Sequence, residues 1–454
     1  MVSSPKSAPD RQVGGWRLPD WGIAGILALL SIIWSTVAAL AAPALSNIGE
    51  WTYVDYAYRI SIGELPVQGD DLSPYTLETW SCRGMDGDIR GETPPPCDEV
   101  TERPVTDWPL EGENYNTFHP PLYFAFAAGV GKIADTVGID FTDGARFASA
   151  LFGAVGVAAL YGAIRCWGIG KRNSAGATLI AMSVPALALS SVIVHNDAVS
   201  MMAGAAAVWL AARVVKHGNY GWIPPFLIAA GISLTRTMSV VAVLAVGGLA
   251  ILMGLFQKDQ RGALKPGFAI ALGTMLSYVA WTVFQNGRRP EDYVPSITGL
   301  STDPFTAGDT LAVINTIVGA GAPWGLTRPS RDWYLDPSLN SWLLEGWSWL
   351  LFAVFLIAVP VGIYCAMKRT GALRYLGILV VLLPILTGLI VQAREIASVT
   401  AYFRVVPGRY AITAVPLYVA FIAALAQQKD TVRWVLPAAG MAGYAVLLLS
   451  PLLP

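Results

Sequence analysis

Apolar stretches of about 20 residues, each long enough to cross about 30 Å of hydrocarbon, begin near Trp21 and recur to the C-terminus. Inside a bilayer a backbone N–H or C=O without an internal partner costs several kcal/mol, so stretches of this kind must span as helices. Composition agrees: 54% of the residues are hydrophobic and 13% charged, against about a quarter charged in a soluble domain. The expected fold is an all-α polytopic membrane protein surrounded by membrane lipids. A soluble core fold is excluded, and no nucleic-acid partner is expected.

Charge placement carries the topology. Residues 43 to 118 hold fifteen of the 31 acidic residues, four Arg and no Lys, whereas seven of the eight Lys (Lys6, Lys171, Lys216, Lys258, Lys265, Lys368 and Lys429) fall in short polar segments. By the positive-inside rule those segments are cytoplasmic. The spans then run near 21-42, 145-167, 174-193, 197-215, 222-238, 239-256, 266-285, 345-367, 373-393, 407-426 and 432-452. That is about 11 transmembrane helices, with the N-terminus cytoplasmic and the C-terminus external. A further crossing at 119-137 would turn the basic segment around Arg165, Lys171 and Arg172 outward, so 119-137 is expected as a juxtamembrane helix on the external surface. Lys6, Arg11 and Arg17 precede the first span, whose apolar run exceeds the 7 to 15 residues of a signal peptide, and it reads as a retained helix. The organisation is a cytoplasmic tail 1-20, a transmembrane module 21-285 with external loop 43-144, a second external loop 286-344, and C-terminal transmembrane helices 345-454. The two external loops are large enough to form a cap.

Cys82 and Cys97 lie in the first external loop, where an oxidising compartment favours a disulfide. Cys166 and Cys365 lie in or beside helices and read as packing residues. No CxxC motif, nucleotide-binding glycine loop or nucleophile elbow occurs in a supporting context, which argues against ATP-driven transport by this chain alone.

The polar residues at the outer helix ends are few. Glu50 and Asp55 follow the first span, ahead of Gly63-Glu64-Leu65-Pro66. His119 opens His119-Pro120-Pro121-Leu122-Tyr123; His195, Asn196 and Asp197 occupy a tight external turn. Arg236 separates two apolar runs, a costly place for a charge unless it faces a polar cavity. Arg394, Arg404 and Arg409, followed by Tyr410, cluster before a late span. Carboxylates on one set of turns and guanidinium groups on another suit a site in which an acid activates a hydroxyl and cations hold an anionic leaving group. Plainer roles suit some of the same residues: His119 and Asp197 as helix caps, Arg394, Arg404 and Arg409 as interfacial anchors, and Trp333, Tyr334, Trp342, Trp347 and Trp349 as an interfacial belt.

These residues resemble the GT-C membrane glycosyltransferases that use polyprenyl-phosphate sugars, a superfamily that includes protein O-mannosyltransferases, aminoarabinose transferases and actinobacterial arabinosyl- and mannosyltransferases. Glu50, Tyr53 and Gly63-Glu64-Leu65-Pro66 match the opening of its first external loop. His119 to Leu122 matches its HPPL stretch, followed by Gly144-Ala145-Arg146-Phe147 at the second transmembrane helix. Asn196-Asp197 matches an acidic turn, and Gly408-Arg409-Tyr410 a late helix. Where the family carries the Asp of an Asp-Glu pair, this chain has Gly49, so the base is either Glu50 or Asp55, one helical turn on.

The resemblance implies inverting sugar transfer from a polyprenyl-phosphate sugar to a hydroxyl of a glycan, lipid or protein acceptor, in cell-envelope assembly. Glu50 or Asp55 would be catalytic; Arg236, Arg404, Arg409 and Tyr410 would bind the donor phosphate; His119, His195, Asn196 and Asp197 would line substrate or metal. A divalent cation, Mg²⁺ or Mn²⁺, would be held by Glu50, Asp55 and Asp197. The Ala-, Gly- and Val-rich composition suggests a bacterial plasma membrane (the inner membrane), with the site facing the periplasm or cell exterior, and decaprenyl-phosphate arabinose or mannose as donors. The alternatives are a lipid or solute transporter (flippase), for which internal repeats and broken helices would be expected, and a catalytically inactive scaffold of the same fold.

Overall fold

The computed structural model describes residues 18–86, 93–291, 293, 300–301, 339, 341–399, 401–403, 406, 408–429 and 434–453. Arg404, Trp333 and Tyr334 lie outside the described residues, as does most of the second long polar segment.

The chain is helical almost throughout: α1 (Asp20–Ala41), α2 (Glu50–Ser61), α3 (Pro74–Arg83), α4 (Leu122–Thr136), α5 (Phe141–Cys166), α6 (Lys171–Met182), α7 (Pro185–Ser190), α8 (Ser200–Ala211), α9 (Ile223–Thr235), α10 (Val240–Phe256), α11 (Leu264–Asn286), α12 (Trp342–Lys368), α13 (Ala372–Val399), α14 (Val415–Ala426) and α15 (Val435–Leu449). Two short ladders complete it. β1 (Leu45–Ser46) pairs in parallel with β2 (Met85–Asp86), and β3 (Leu300–Ser301) pairs antiparallel with β4 (Tyr402–Phe403). Among the described residues nine helical stretches are long and apolar enough to cross a membrane.

Two expected spans take a different form. The span 174-193 is broken into α6 and α7, because Pro185 cannot continue the preceding helix and instead starts a new one. The span 222-238 ends at Thr235 in a 13-residue helix, and Arg236 is extended (φ −156°, ψ 109°) before a single tight turn leads into α10. The juxtamembrane segment expected at 119-137 is α4, which packs on α2 and α5.

Residues on both sides of the 286–344 segment share one apolar core, running from Ile23 and Trp34 through α5, α6 and α8 to Phe355, Tyr418 and Leu447. Small residues let the helices close in: a β-carbon on Gly440 of α15 would stand 2.6 Å from the Gly176 carbonyl oxygen of α6.

A second apolar cluster lies beneath the cap formed by residues 43–140. Trp51 stacks on Trp80 with ring centroids 4.2 Å apart, and Tyr56 stacks on Phe124 at 4.0 Å. The cap is tied further by a Cys82–Cys97 disulfide and by the Arg83 guanidinium, which meets Asp140 at 2.5 Å and Asp143 at 2.7 Å at the start of α5. This places α2 and the 114–119 segment over the turn that leads into α8.

Candidate functional site

Three buried carboxylates lie under the cap, and their hydrogen bonds separate their roles. Glu50 opens α2 behind Gly49, whose φ of +85° is a left-handed conformation that glycine adopts without strain. Arg146, on α5 and itself buried, donates from Nε to Glu50 Oε1 and from Nη2 to Oε2, both at 2.8 Å. The Ser46 amide donates to Oε2 and the Val194 amide to Oε1, again at 2.8 Å. Arg146 spends its other donors on the Ala42 and Ala44 carbonyls. Glu50 therefore bolts α2 to α5 and anchors the 195–197 turn.

Asp55 is as fully engaged. Its Oδ1 accepts from the Ser73 amide at 2.7 Å and the Thr76 hydroxyl at 3.2 Å; its Oδ2 accepts from Asn114 Nδ2 at 2.8 Å and Arg59 Nε at 3.1 Å. It joins α2 to the N-terminus of α3 and to the 114–116 segment. Each carboxylate expected to be catalytic thus accepts from four donors in this structure.

Asp197 differs. Its Oδ1 lies 2.5 Å from Arg236 Nη2 and 3.1 Å from His195 Nδ1, yet these are ion-pair contacts without hydrogen-bond geometry, and among the described residues neither carboxylate oxygen accepts a hydrogen bond. Arg236 is fixed in turn: Nη1 donates to the Ser200 and Ser239 hydroxyls at 2.9 and 3.2 Å, and Nη2 to the Arg409 carbonyl at 3.3 Å. The extended break between α9 and α10 exists where this guanidinium reaches across to α8. Burying such a pair is costly unless further hydrogen bonds satisfy it, and three hold this guanidinium.

Around this pair sit His195, His119 and Tyr53. His195 Nδ1 accepts the Asp197 amide at 3.0 Å, and its Nε2 lies 3.2 Å from Arg409 Nη1. Tyr53 packs against the His195 ring at 4.1 Å, and its hydroxyl lies 3.3 Å from His119 Nε2. Burial pushes both imidazoles below their ordinary pKa, His119 far below, and Arg394, Arg236 and Arg409 push His119 the same way. Burial also pushes the Tyr53 phenol up. His119 is placed by the Tyr56 hydroxyl, which donates to its carbonyl at 2.9 Å, and by Trp281 and Gln285 of α11, which donate to the carbonyls of Phe118 and Thr117. Arg394 stands over the Phe118 ring at 5.7 Å and pairs with Glu395 at 2.6 Å; Arg409 stands over the Tyr410 ring at 5.6 Å. Asn196 is buried in the same turn.

Of the expected site residues, the fold brings His119, His195, Asp197, Arg236 and Arg409 together, with Tyr410 beside Arg409. The expected metal ligands Glu50, Asp55 and Asp197 do not converge, and among the described residues no three His, Cys, Asp or Glu side chains are placed to hold a metal ion. Arg146, Arg59 and Arg236 occupy them one by one. Sequence reasoning assigned no role to Arg146, although a charge within an apolar span was the same signal that drew attention to Arg236. It also passed over Tyr115, whose hydroxyl would lie 2.7 Å from a β-carbon on Gly49, so the phenol fills the space a side chain at 49 would need.

The apolar helical stretches define a multi-pass membrane protein, with a polar cluster buried beneath a disulfide-tied cap. Residues 118–283 match the dolichyl-phosphate-mannose-protein mannosyltransferase family. The match spans 166 of the 454 residues and supports a membrane glycosyltransferase of GT-C type. No curated protein matches it. The matched region covers His119, His195, Asp197 and Arg236 but neither Glu50 nor Arg409.

Proposed function

We propose that the protein is an inverting glycosyltransferase that moves a sugar from a polyprenyl-phosphate donor to an acceptor hydroxyl, at the outer face of a bacterial plasma membrane and in assembly of an envelope glycan or glycolipid. The family match supports the polyprenyl-phosphate donor. The observation that carries the mechanism is Asp197, a buried carboxylate paired with Arg236 at Oδ1 whose oxygens, among the described residues, accept no hydrogen bond. In this reading Oδ2 accepts the proton of the acceptor hydroxyl as that oxygen attacks the anomeric carbon. The bond to the lipid phosphate breaks from the opposite face, and the leaving phosphate takes the electron pair. Arg409 and Arg394 supply positive charge toward that phosphate, a role suited to the planar guanidinium. His119 and His195, both held neutral, orient by hydrogen bonding without adding charge. Glu50 and Asp55 hold the frame.

The test is transfer from radiolabelled polyprenyl-phosphate mannose to envelope extract by purified protein in nanodiscs, with donor binding measured alongside. Asp197→Asn should cut transfer by about 10²- to 10⁴-fold while the donor still binds. If Asp197→Asn transfers normally and Glu50→Gln or Asp55→Asn is dead with its thermal stability intact, the assignment of the base is wrong. If wild-type protein binds no polyprenyl phosphate, the donor reading falls.

A further inference from the structure

The cations at the other end of the bundle have a different chemistry. The helical stretch Asn196–Lys216 carries the chain from the Asp197 site through about 30 Å, one hydrocarbon thickness, to a π-helical turn at Ala212–Lys216. Residues 212–222 and 257–265 together contain Arg213, Lys216, Lys258, Arg261 and Lys265, against the single acid Asp259. The two segments touch: the Tyr220 ring lies so close over Gly262 that a β-carbon there would collide with it.

Among the described residues no carboxylate lies within ion-pair distance of any of these five cations. Lys216 donates to the Cys166 carbonyl at the end of α5, at 3.0 Å, a contact that caps a helix. Arg213 is half-buried, its Nε has no hydrogen-bond partner, and its Nη2 is held 3.0 Å from where a β-carbon on Gly221 would lie. Lys258, Arg261 and Lys265 are exposed. Large apolar side chains flank them on both segments: Trp222 is 56% exposed and Phe256 81% exposed.

We propose that segments 212–222 and 257–265 form a binding site for an anionic phospholipid headgroup, with Arg213, Lys258, Arg261 and Lys265 meeting the phosphate and Trp222 and Phe256 lying among the acyl chains. Charge complementarity selects this occupant. Among the described residues the five cations lack an internal counter-ion, and the exposed apolar residues beside them suit a lipid that brings phosphate and hydrocarbon together. A soluble anion would satisfy the cations and leave Trp222 and Phe256 bare.

Purified full-length protein in detergent is titrated with phosphatidylglycerol or phosphatidylcholine, and bound lipid is counted by native mass spectrometry with thermal stability as a second readout. Wild type should bind phosphatidylglycerol at least about tenfold more tightly than phosphatidylcholine. Each of Lys258→Gln, Arg261→Gln and Lys265→Gln should weaken phosphatidylglycerol by about fivefold, and combining them with Arg213→Gln should remove the preference. No preference in wild type, or a preference that survives the three exposed single substitutions, overturns the proposal whether or not the fourfold variant folds. Inorganic phosphate in phosphatidylcholine micelles should leave the stability unchanged; a response equal to that of phosphatidylglycerol would overturn the lipid reading in favour of a soluble phosphate site.

Discussion

Under the cap, Arg59 meets Asp55 and Glu64, Arg83 meets Asp140 and Asp143, Arg103 meets Glu99 and Asp107, and Arg146 meets Glu50. Among the described residues at the opposite end Arg165 pairs with Asp20, while Lys171 and Lys216 donate to the Leu18 and Cys166 carbonyls and Arg369 stands over the Tyr364 ring. The difference follows from what each end has available to neutralise a charge. The cap is a stretch of loops and short helices, and these arginine–carboxylate pairs cross-link it from within. The opposite end needs only to stop helices, and Lys258, Arg261 and Lys265 there are exposed.

Substitutions should divide along the same line. After the loss of transfer set out for Asp197→Asn, the largest effect expected is on stability: Arg146→Ala leaves Glu50 charged and buried, and should cost about 3–5 kcal/mol, read as a fall in the thermal unfolding temperature in detergent. An Arg146→Ala protein that unfolds with wild type would break the contrast between the ends. Cys82→Ser with Cys97→Ser opens a loop of sequence separation 15 and should cost about 3 kcal/mol, with limited proteolysis locating the loosening in the cap.

Acid should act next. Burial holds His119 and His195 below their ordinary value in the folded protein, so as pH falls below about 6.5 the unfolded chain takes up protons first. Stability should be level above that pH and decline from there toward the lower folded-state values. His119→Gln should flatten the decline, and a wild-type curve with no decline between pH 6.5 and 4 would count against neutral imidazoles. Smallest of all, Arg165→Gln at the opposite end breaks a partly exposed pair and should change stability by no more than about 1 kcal/mol; a loss comparable to Arg146→Ala would show that both ends depend equally on internal pairing.

Much of the site was legible because membrane chains make polar residues conspicuous. Arg236 stood out between apolar runs, His119 in its proline-rich opening, and His195-Asn196-Asp197 in a turn too short to be anything but a connection. What could not be read was the bonding. Glu50 and Asp55 carried the resemblance to a known motif, and nothing in their spacing says that Arg146, 96 residues away, or Asn114 consumes their oxygens. Likewise the sequence marks a span at 174-193 by hydropathy, yet Pro185 divides it into α6 and α7.

The sequence by itself determined that this is a helical membrane protein, with an acidic segment set apart from basic ones, because hydrocarbon demands internally bonded backbone and charge is counted along the chain. Only the tertiary structure decided that Glu50 and Asp55 are each held by four donors while Asp197 is not. Hydrogen bonds are short and directional, and whether Oε or Oδ is occupied depends on groups brought from α3, α5, the 114–116 segment and the α9–α10 break to within about 3 Å. That distance is set by packing across the fold and has no counterpart in the order of the residues.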